Sequence, residues 1–127
     1  MSTIAWFEII SRDLKAAATF YQNVLPVTLE IVDMGERTMA LFPSPEHEAF
    51  TGGALVGGSE AQLRDIGYGA TVVYFTVESI AACLQRVGAE AGLIVTPCTP
   101  IKGGEEGYYA NFKDLEGNLV GIWSRSP

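Results

Sequence analysis

Ile4–Val32 reads IAWFEIISRDLKAAATFYQNVLPVTLEIV and Ala70–Val95 reads ATVVYFTVESIAACLQRVGAEAGLIV, and the second stretch repeats the pattern of the first. Each is a short β-rich run, a polar helix start, an amphipathic helix and another β-rich run. Setting Asp13–Leu14 over Ser79–Ile80 gives an offset of 66 residues, on which Ile9, Ala17 and Tyr21 meet Phe75, Cys83 and Val87. Identity between the halves is low, so what recurs is the pattern. Self-similarity at a fixed offset outranks composition as a fold signal. It implies two copies of one supersecondary unit, with function to be sought between them.

Working outward, Ala5–Ile10 forms the first strand and feeds a helix starting at Asp13, whose carboxylate suits an N-cap. Leu14, Ala17, Ala18, Tyr21, Val24 and Leu25 fall on one helical stripe that Pro26 ends. Val27–Val32 and Thr38–Phe42 bracket Met34–Gly35–Glu36–Arg37, a hairpin turn. A loop from Pro43 to about Thr51 leads to Gly53–Val56, a weak strand because glycines crowd it. Gly57–Gly69 is polar and glycine-flanked, a linker. Beyond it Ala70–Val77 is a strand, and Ser79 is the second N-cap. Ile80, Cys83, Leu84 and Val87 repeat the stripe, which Gly88 ends. Leu93–Thr96 is the next strand, Cys98–Gly107 a loop rich in glycine, and Tyr108–Lys113 with Leu119–Trp123 a closing hairpin. In its turn, Asp114–Asn118, Gly117 supplies the positive φ such a connection needs. The order is βαβββ, twice: an α+β chain with a first module over 4–56 and a second over 70–124.

A chain of 127 residues is expected to be one domain, 1–127, because a half of about sixty residues would bury too little surface alone. Apolar residues at 48% and charged ones at 18% fit a globular protein rather than a disordered one. No apolar run reaches the roughly 18–20 residues of a membrane span, and MSTIAWFEII lacks the basic start of a signal peptide. A net charge of −7 with eight scattered basic residues argues against a nucleic-acid partner. Cys83 and Cys98 lack a CxxC spacing and read as structural thiols, with cytoplasmic residence the default.

Five stretches carry a resemblance over nearly the whole chain: WFEI at Trp6, RDLKAAATFY from Arg12 to Tyr21, GGALV at Gly52, VVYFTVESI from Val72 to Ile80, and GYYANFKDLEGNLVGIW from Gly107 to Trp123. A βαβββ pair with these motifs resembles the vicinal oxygen chelate superfamily of glyoxalases, bleomycin-resistance proteins and extradiol dioxygenases. One departure is Leu115, where that family usually has proline. The resemblance implies two curved mixed sheets forming a cup-shaped cavity, with metal ligands on inner-facing strand positions. Those positions are here Trp6, Val72, Gly121 and the stretch Gly53–Leu55. A divalent ion needs several N or O side chains converging on it, and these residues offer none. No metal and no other cofactor is therefore expected. The one histidine, His47, reads as a solvated loop residue.

Strand alternation puts Trp6, Glu8 and Ile10 on one face, and the repeat puts Val72, Tyr74 and Thr76 on the equivalent one. Gly121 and Trp123 share the face that the resemblance assigns to the cavity. The expected ligand-binding wall is Trp6, Glu8, Tyr74, Thr76 and Trp123, with Gly121 opening space. Tyr109 and Asn111 are candidates whose face the sequence leaves open. Such a wall suits a small, partly flat organic ligand. Glu8 is the sharpest residue. A carboxylate on an inward face is costly to bury unless paired, and it could serve as a catalytic acid or base. It could equally be structural, hydrogen-bonded to Tyr74 or Thr76, just as either tryptophan could be core.

The sequence contains no GxSxG, P-loop or dinucleotide fingerprint. Two readings follow. The first is a metal-free binding protein of the bleomycin-resistance type, in which Glu8 meets a cationic group of the ligand. The alternative is a lyase or isomerase of the glyoxalase type with Glu8 as acid–base, or with a divalent metal at non-standard ligands. That chemistry needs its oxyanion stabilised, and the expected wall holds no Lys, Arg or His. The resemblance also implies a homodimer.

Overall fold

The computed structural model describes residues 4–25, 27–35, 37–43, 52–58 and 70–127. Pro26, His47 and most of the 43–51 loop and 57–69 linker lie outside the described residues. The α+β class holds, with the element order βαβββ twice and two compact units, Trp6–Thr71 and Val72–Pro127, the leading residues Ile4 and Ala5 of the first strand grouping with the second.

In the first unit the strands are β1 (Ile4–Ile10), β2 (Glu30–Asp33), β3 (Arg37–Leu41) and β4 (Gly52–Gly58), lying in the order β2-β3-β4-β1. β4 pairs in parallel with β1 and antiparallel with β3, and β2 pairs antiparallel with β3. The helix α1 (Leu14–Val24) starts where Asp13 accepts the Ala16 N–H at 3.1 Å. That bond satisfies one of the first-turn donors that a helix leaves without an internal partner. Leu14, Ala17, Ala18 and Tyr21 pack with Ile9, Leu29, Ala40 and Leu55. Val24 and Leu25, expected on the same stripe, are 59% and 42% exposed, so the buried stripe ends before the helix does.

The glycine-crowded strand is the deepest. β4 is seven residues long, Gly53 to Gly57 are all buried, and it is flanked on both sides. A Cβ on Gly53 would enter the Phe7 ring, and one on Gly57 would lie 3.2 Å from Leu14 Cβ. The glycines mark where side chains lie flat on the strand, which is the close-approach use of that residue. A second correction concerns Arg37. It is the first residue of β3, not part of the turn.

The second unit holds β5 (Thr71–Thr76), α2 (Ile80–Ala89), β6 (Leu93–Pro100), β7 (Tyr108–Lys113) and β8 (Leu119–Ser124), with strand order β5-β8-β7-β6. β8 runs parallel to β5 and antiparallel to β7. Ser79 caps α2 by accepting the Ala82 N–H at 3.2 Å, and α2 starts 66 residues after α1, as the repeat requires. Ile80 of α2 forms a core with Ala110 and Ile122 of the sheet, joined by Cys83, Leu84, Cys98 and Phe112. β6 runs through Pro97 to Pro100, well past the expected end at Thr96. It is an edge strand with two register shifts, and an edge tolerates prolines because no further strand needs their missing N–H.

The β7–β8 turn is organised by Asp114. Its Oδ1 accepts the N–H groups of Glu116 and Asn118, each at 2.9 Å, and its Oδ2 accepts the Asn118 side-chain amide at 2.9 Å. These bonds, the Asn118 side-chain amide first, hold the Asp114 carboxyl below the ordinary aspartate value. Gly117 takes φ +86° there, as the turn reading expects. Among the described residues no helix is long and apolar enough to cross a membrane.

Candidate functional site

α1 covers one face of the first sheet, so the chemistry-bearing side chains fall on the other. That second face is built on Ile10, Ala54 and Val56, with Trp6, Met39 and Leu41 packed against them. Two-residue alternation along β1 adds Glu8, and along β3 it adds Arg37. Glu8 is only 4% exposed. Its Oε2 accepts a hydrogen bond from Trp6 Nε1 at 3.2 Å, and its Oε1 lies 3.9 Å from Arg37 Nη1. The strand register puts Glu8 level with Ala54 and Leu41, whereas Arg37 is level with Gly58, four residues further along β4. The ion pair is therefore made by side-chain reach.

This arrangement departs from the sequence expectation in two respects. Glu8 already has a cation, so its charge is not reserved for a positively charged ligand. The face also carries an arginine that the sequence reading left in a turn. The signal was present in the alternation of Arg37, Met39 and Leu41, but using it requires knowing that the strand begins one residue before Thr38.

On the second sheet the pairs Tyr74–Gly121, Asn111–Gly121, Tyr109–Trp123 and Thr76–Trp123 stand level on adjacent strands. Their side chains share a face, which settles the orientation of Tyr109 and Asn111. Asn111 Nδ2 donates to the Tyr74 hydroxyl at 3.2 Å, and the Tyr109 ring stands edge-on to Tyr74 with centroids 6.3 Å apart. Asn111 and Tyr74 are 1% and 4% exposed, whereas Thr76, Tyr109 and Trp123 are half-buried. A Cβ on Gly121 would enter the Tyr74 ring. Gly121 thus makes room for a neighbouring tyrosine and opens no space for a ligand. Trp123 donates Nε1–H to the Glu106 carbonyl at 2.9 Å, and the Arg125 guanidinium lies 5.3 Å from its ring centroid. It ties the Glu105–Gly107 segment to β8 instead of standing free as a stacking platform.

The family model described as Glyoxalase/Bleomycin resistance protein/Dioxygenase superfamily matches residues 3–122, both βαβββ units included. The chain belongs to that superfamily. Methylmalonyl-CoA epimerase from Mycobacterium tuberculosis is similar in structure, with a TM-score of 0.66 and 19% identity over 98% of this chain and 89% of that one. Methylmalonyl-CoA epimerase from Streptomyces coelicolor, solved with 2-nitronate-propionyl-CoA, gives 0.65 and 15% identity over 98% of this chain and 97% of that one. A chain described as NAD-dependent benzaldehyde dehydrogenase from Legionella pneumophila gives 0.60 and 16%, over 94% of this chain and 96% of that one. No curated protein matches the sequence. Identities this low show a shared fold, and one fold hosts unrelated chemistries.

The motif resemblance puts the superfamily's expected metal positions at Trp6, Val72, Gly121 and the Gly53–Leu55 stretch of β4. Trp6 uses its one polar atom as a donor to Glu8, Val72 is buried, and Gly121 lies under an aromatic ring. Among the described residues no three His, Cys, Asp or Glu side chains come together. Among the described residues Glu8 is the one acid at this face, and a single carboxylate does not hold a divalent ion against water. The described residues do not fit the superfamily's metal.

Exchanging Glu8→Gln keeps an acceptor for the Trp6 indole but leaves the half-buried Arg37 without its counter-charge. A loss of about 1–3 kcal/mol in unfolding free energy is expected by urea denaturation. A change within a few tenths of a kcal/mol would mean that the pair contributes nothing to the fold.

Proposed function

We propose that this protein binds a small organic ligand on the Trp6–Glu8–Arg37 face, without a metal. The observation that carries the reading is the composition of that face. A buried carboxylate and a guanidinium stand 3.9 Å apart beside a half-buried indole, on a surface otherwise built of Ile10, Met39, Leu41 and Val56. Small-molecule sites have this character, with mainly apolar walls and a few placed polar groups. Trp6 supplies stacking area and the Glu8–Arg37 pair orients the ligand. Taken by itself, the second sheet presents Thr76, Tyr109 and Trp123, half-buried on one face beside Tyr74 and Asn111, as candidate ligand contacts of its own.

Titration with small aromatic acids, amides and amines, followed by tryptophan emission, tests this reading. At least one class is expected to quench or blue-shift the emission of the natural chain and to leave Trp6→Phe unchanged. Silence across all three classes at millimolar concentration would overturn it.

Arg37 also favours a second reading, in which the protein is a lyase or isomerase with Glu8 as acid–base. Proton abstraction beside a carbonyl needs a base and a group that stabilises the resulting oxyanion, and Arg37 is the cation that the sequence analysis found missing. Solvent deuterium appearing at the α-carbon of a bound α-hydroxy carbonyl compound, and failing to appear with Glu8→Gln, would support catalysis. No exchange above the solvent rate would leave binding alone.

We further propose that the chain pairs as a homodimer. Support comes from a groove of about 280 Å³ on the second unit, where Cys83, Val87, Phe112 and Leu115 lie among two cations, Arg86 and Lys113, and two anions, Glu90 and Asp114. Leu115 is 77% exposed. A patch with balanced charges can meet its own copy, whereas a chain of net charge −7 otherwise repels itself. Sedimentation equilibrium is expected to give twice the 13.6 kDa chain mass, reverting to the monomer with Leu115→Asp. A monomer at high micromolar concentration would refute the pairing.

A further inference from the structure

Arg37 is the least satisfied charged group of the candidate site. Its side chain is 19% exposed, and its one interaction among the described residues is the 3.9 Å approach to Glu8 Oε1. That separation is an ion pair but too long for a hydrogen bond. A guanidinium presents five N–H donors in a planar fork, and among the described residues no hydrogen bond reaches any of them. Donors removed from most of their water without acceptors are costly. Glu8 could have approached closer, yet it turns its other oxygen to the Trp6 indole at 3.2 Å.

From this geometry we infer that Arg37 is an anion-binding residue whose natural partner is the carboxylate of a small organic acid. The inference rests on the proposal that this face binds a small molecule, and it supplies the class of ligand. A carboxylate matches the guanidinium fork with two parallel N–H···O bonds. The rest of such a ligand would cover Trp6, Met39 and Leu41, which suits an aromatic or branched aliphatic body. Phosphate would use the same donors, but a dianion gives up more hydration than a carboxylate on a face built of Trp6, Met39 and Leu41. The unfilled groups among the described residues are the N–H donors of Arg37, so the matching ligand group is an acceptor and not a cation.

The charge series benzoate, benzamide, benzylamine and inorganic phosphate tests the inference on the whole protein, followed by NMR shifts of the Trp6 Nε1–H and Arg37 Nε–H signals. Benzoate is expected to bind roughly tenfold or more tightly than benzamide, and phosphate and benzylamine more weakly than either. Arg37→Gln should remove the preference for benzoate over benzamide, and Arg37→Lys should retain part of it, since a lysine keeps the charge without the fork. Glu8→Gln should tighten benzoate binding by removing the competing carboxylate. If Arg37→Gln fails to fold, Arg37→Lys and the charge series on the natural chain decide the matter. Equal binding of benzoate and benzamide, or full benzoate affinity in Arg37→Gln, would overturn the carboxylate assignment while leaving a small-molecule site in place. Preference for phosphate would overturn it in favour of a phosphorylated ligand. Preference for benzylamine would overturn it in favour of the cationic class, and no shift with any of the four would overturn this inference and the binding proposal together.

Discussion

A strand shows its side chains alternately to two faces, and in each unit of this protein one of those faces is occupied by a single short helix. Leu55, Ala40 and Ile9 are committed to α1, as Ile122 and Ala110 are to α2. Once those residues are buried, their neighbours have no choice of side, because a slip of one residue would exchange the whole set. Trp6 and Glu8 are placed by this constraint, and so are Arg37, Tyr74, Tyr109 and Asn111. The candidate site is the remainder of the helix–sheet packing.

Close approach to glycine is the second device shared by the units. Phe7 lies over Gly53 on the helix-covered face of the first sheet, and Tyr74 lies over Gly121 on the opposite face of the second. In both cases the ring takes the volume a side chain would fill. On the second sheet the Tyr74 hydroxyl accepts from Asn111, and both residues are buried. On the first sheet Arg37 meets Glu8 at 3.9 Å, an ion pair without a hydrogen bond. The repeat has thus diverged in the polar chemistry of the two faces, a neutral hydrogen bond on one and a charged pair on the other.

Local signals were legible in the chain. Asp13 and Ser79 cap their helices as their side-chain chemistry requires, and the 66-residue offset survives in the helix starts. The turn at Asp114–Asn118 was readable from Asp and Gly because both act within five residues. The errors fell where a distant partner decides. β4 read as weak because glycines lower strand propensity, yet Phe7 and Leu14 rest on those glycines. β6 read as short because a glycine-rich loop was expected from Cys98, yet the strand continues to Pro100 at an edge that tolerates its prolines. Val24 read as part of a buried stripe, which periodicity cannot distinguish from a stripe running past its cover.

The sequence by itself determined the two βαβββ units, their helix boundaries, the superfamily and the presence of Trp6 and Glu8 on one strand face. The family resemblance further implied that tryptophan, valine and glycine stand where metal ligands would be needed. The units, the helix boundaries and the strand face depend on periodicity and capping, which act over a few residues, whereas the superfamily was legible from motifs spread along the chain. Only the tertiary structure decided that Arg37 belongs to β3 and reaches Glu8, that Gly121 lies beneath Tyr74, and that Asn111 bonds the Tyr74 hydroxyl. Each of these joins residues from different strands, 29 apart for Glu8 and Arg37 and 37 apart for Tyr74 and Asn111. Strand register sets such meetings, and register is fixed by the packed core rather than by any stretch of chain read alone.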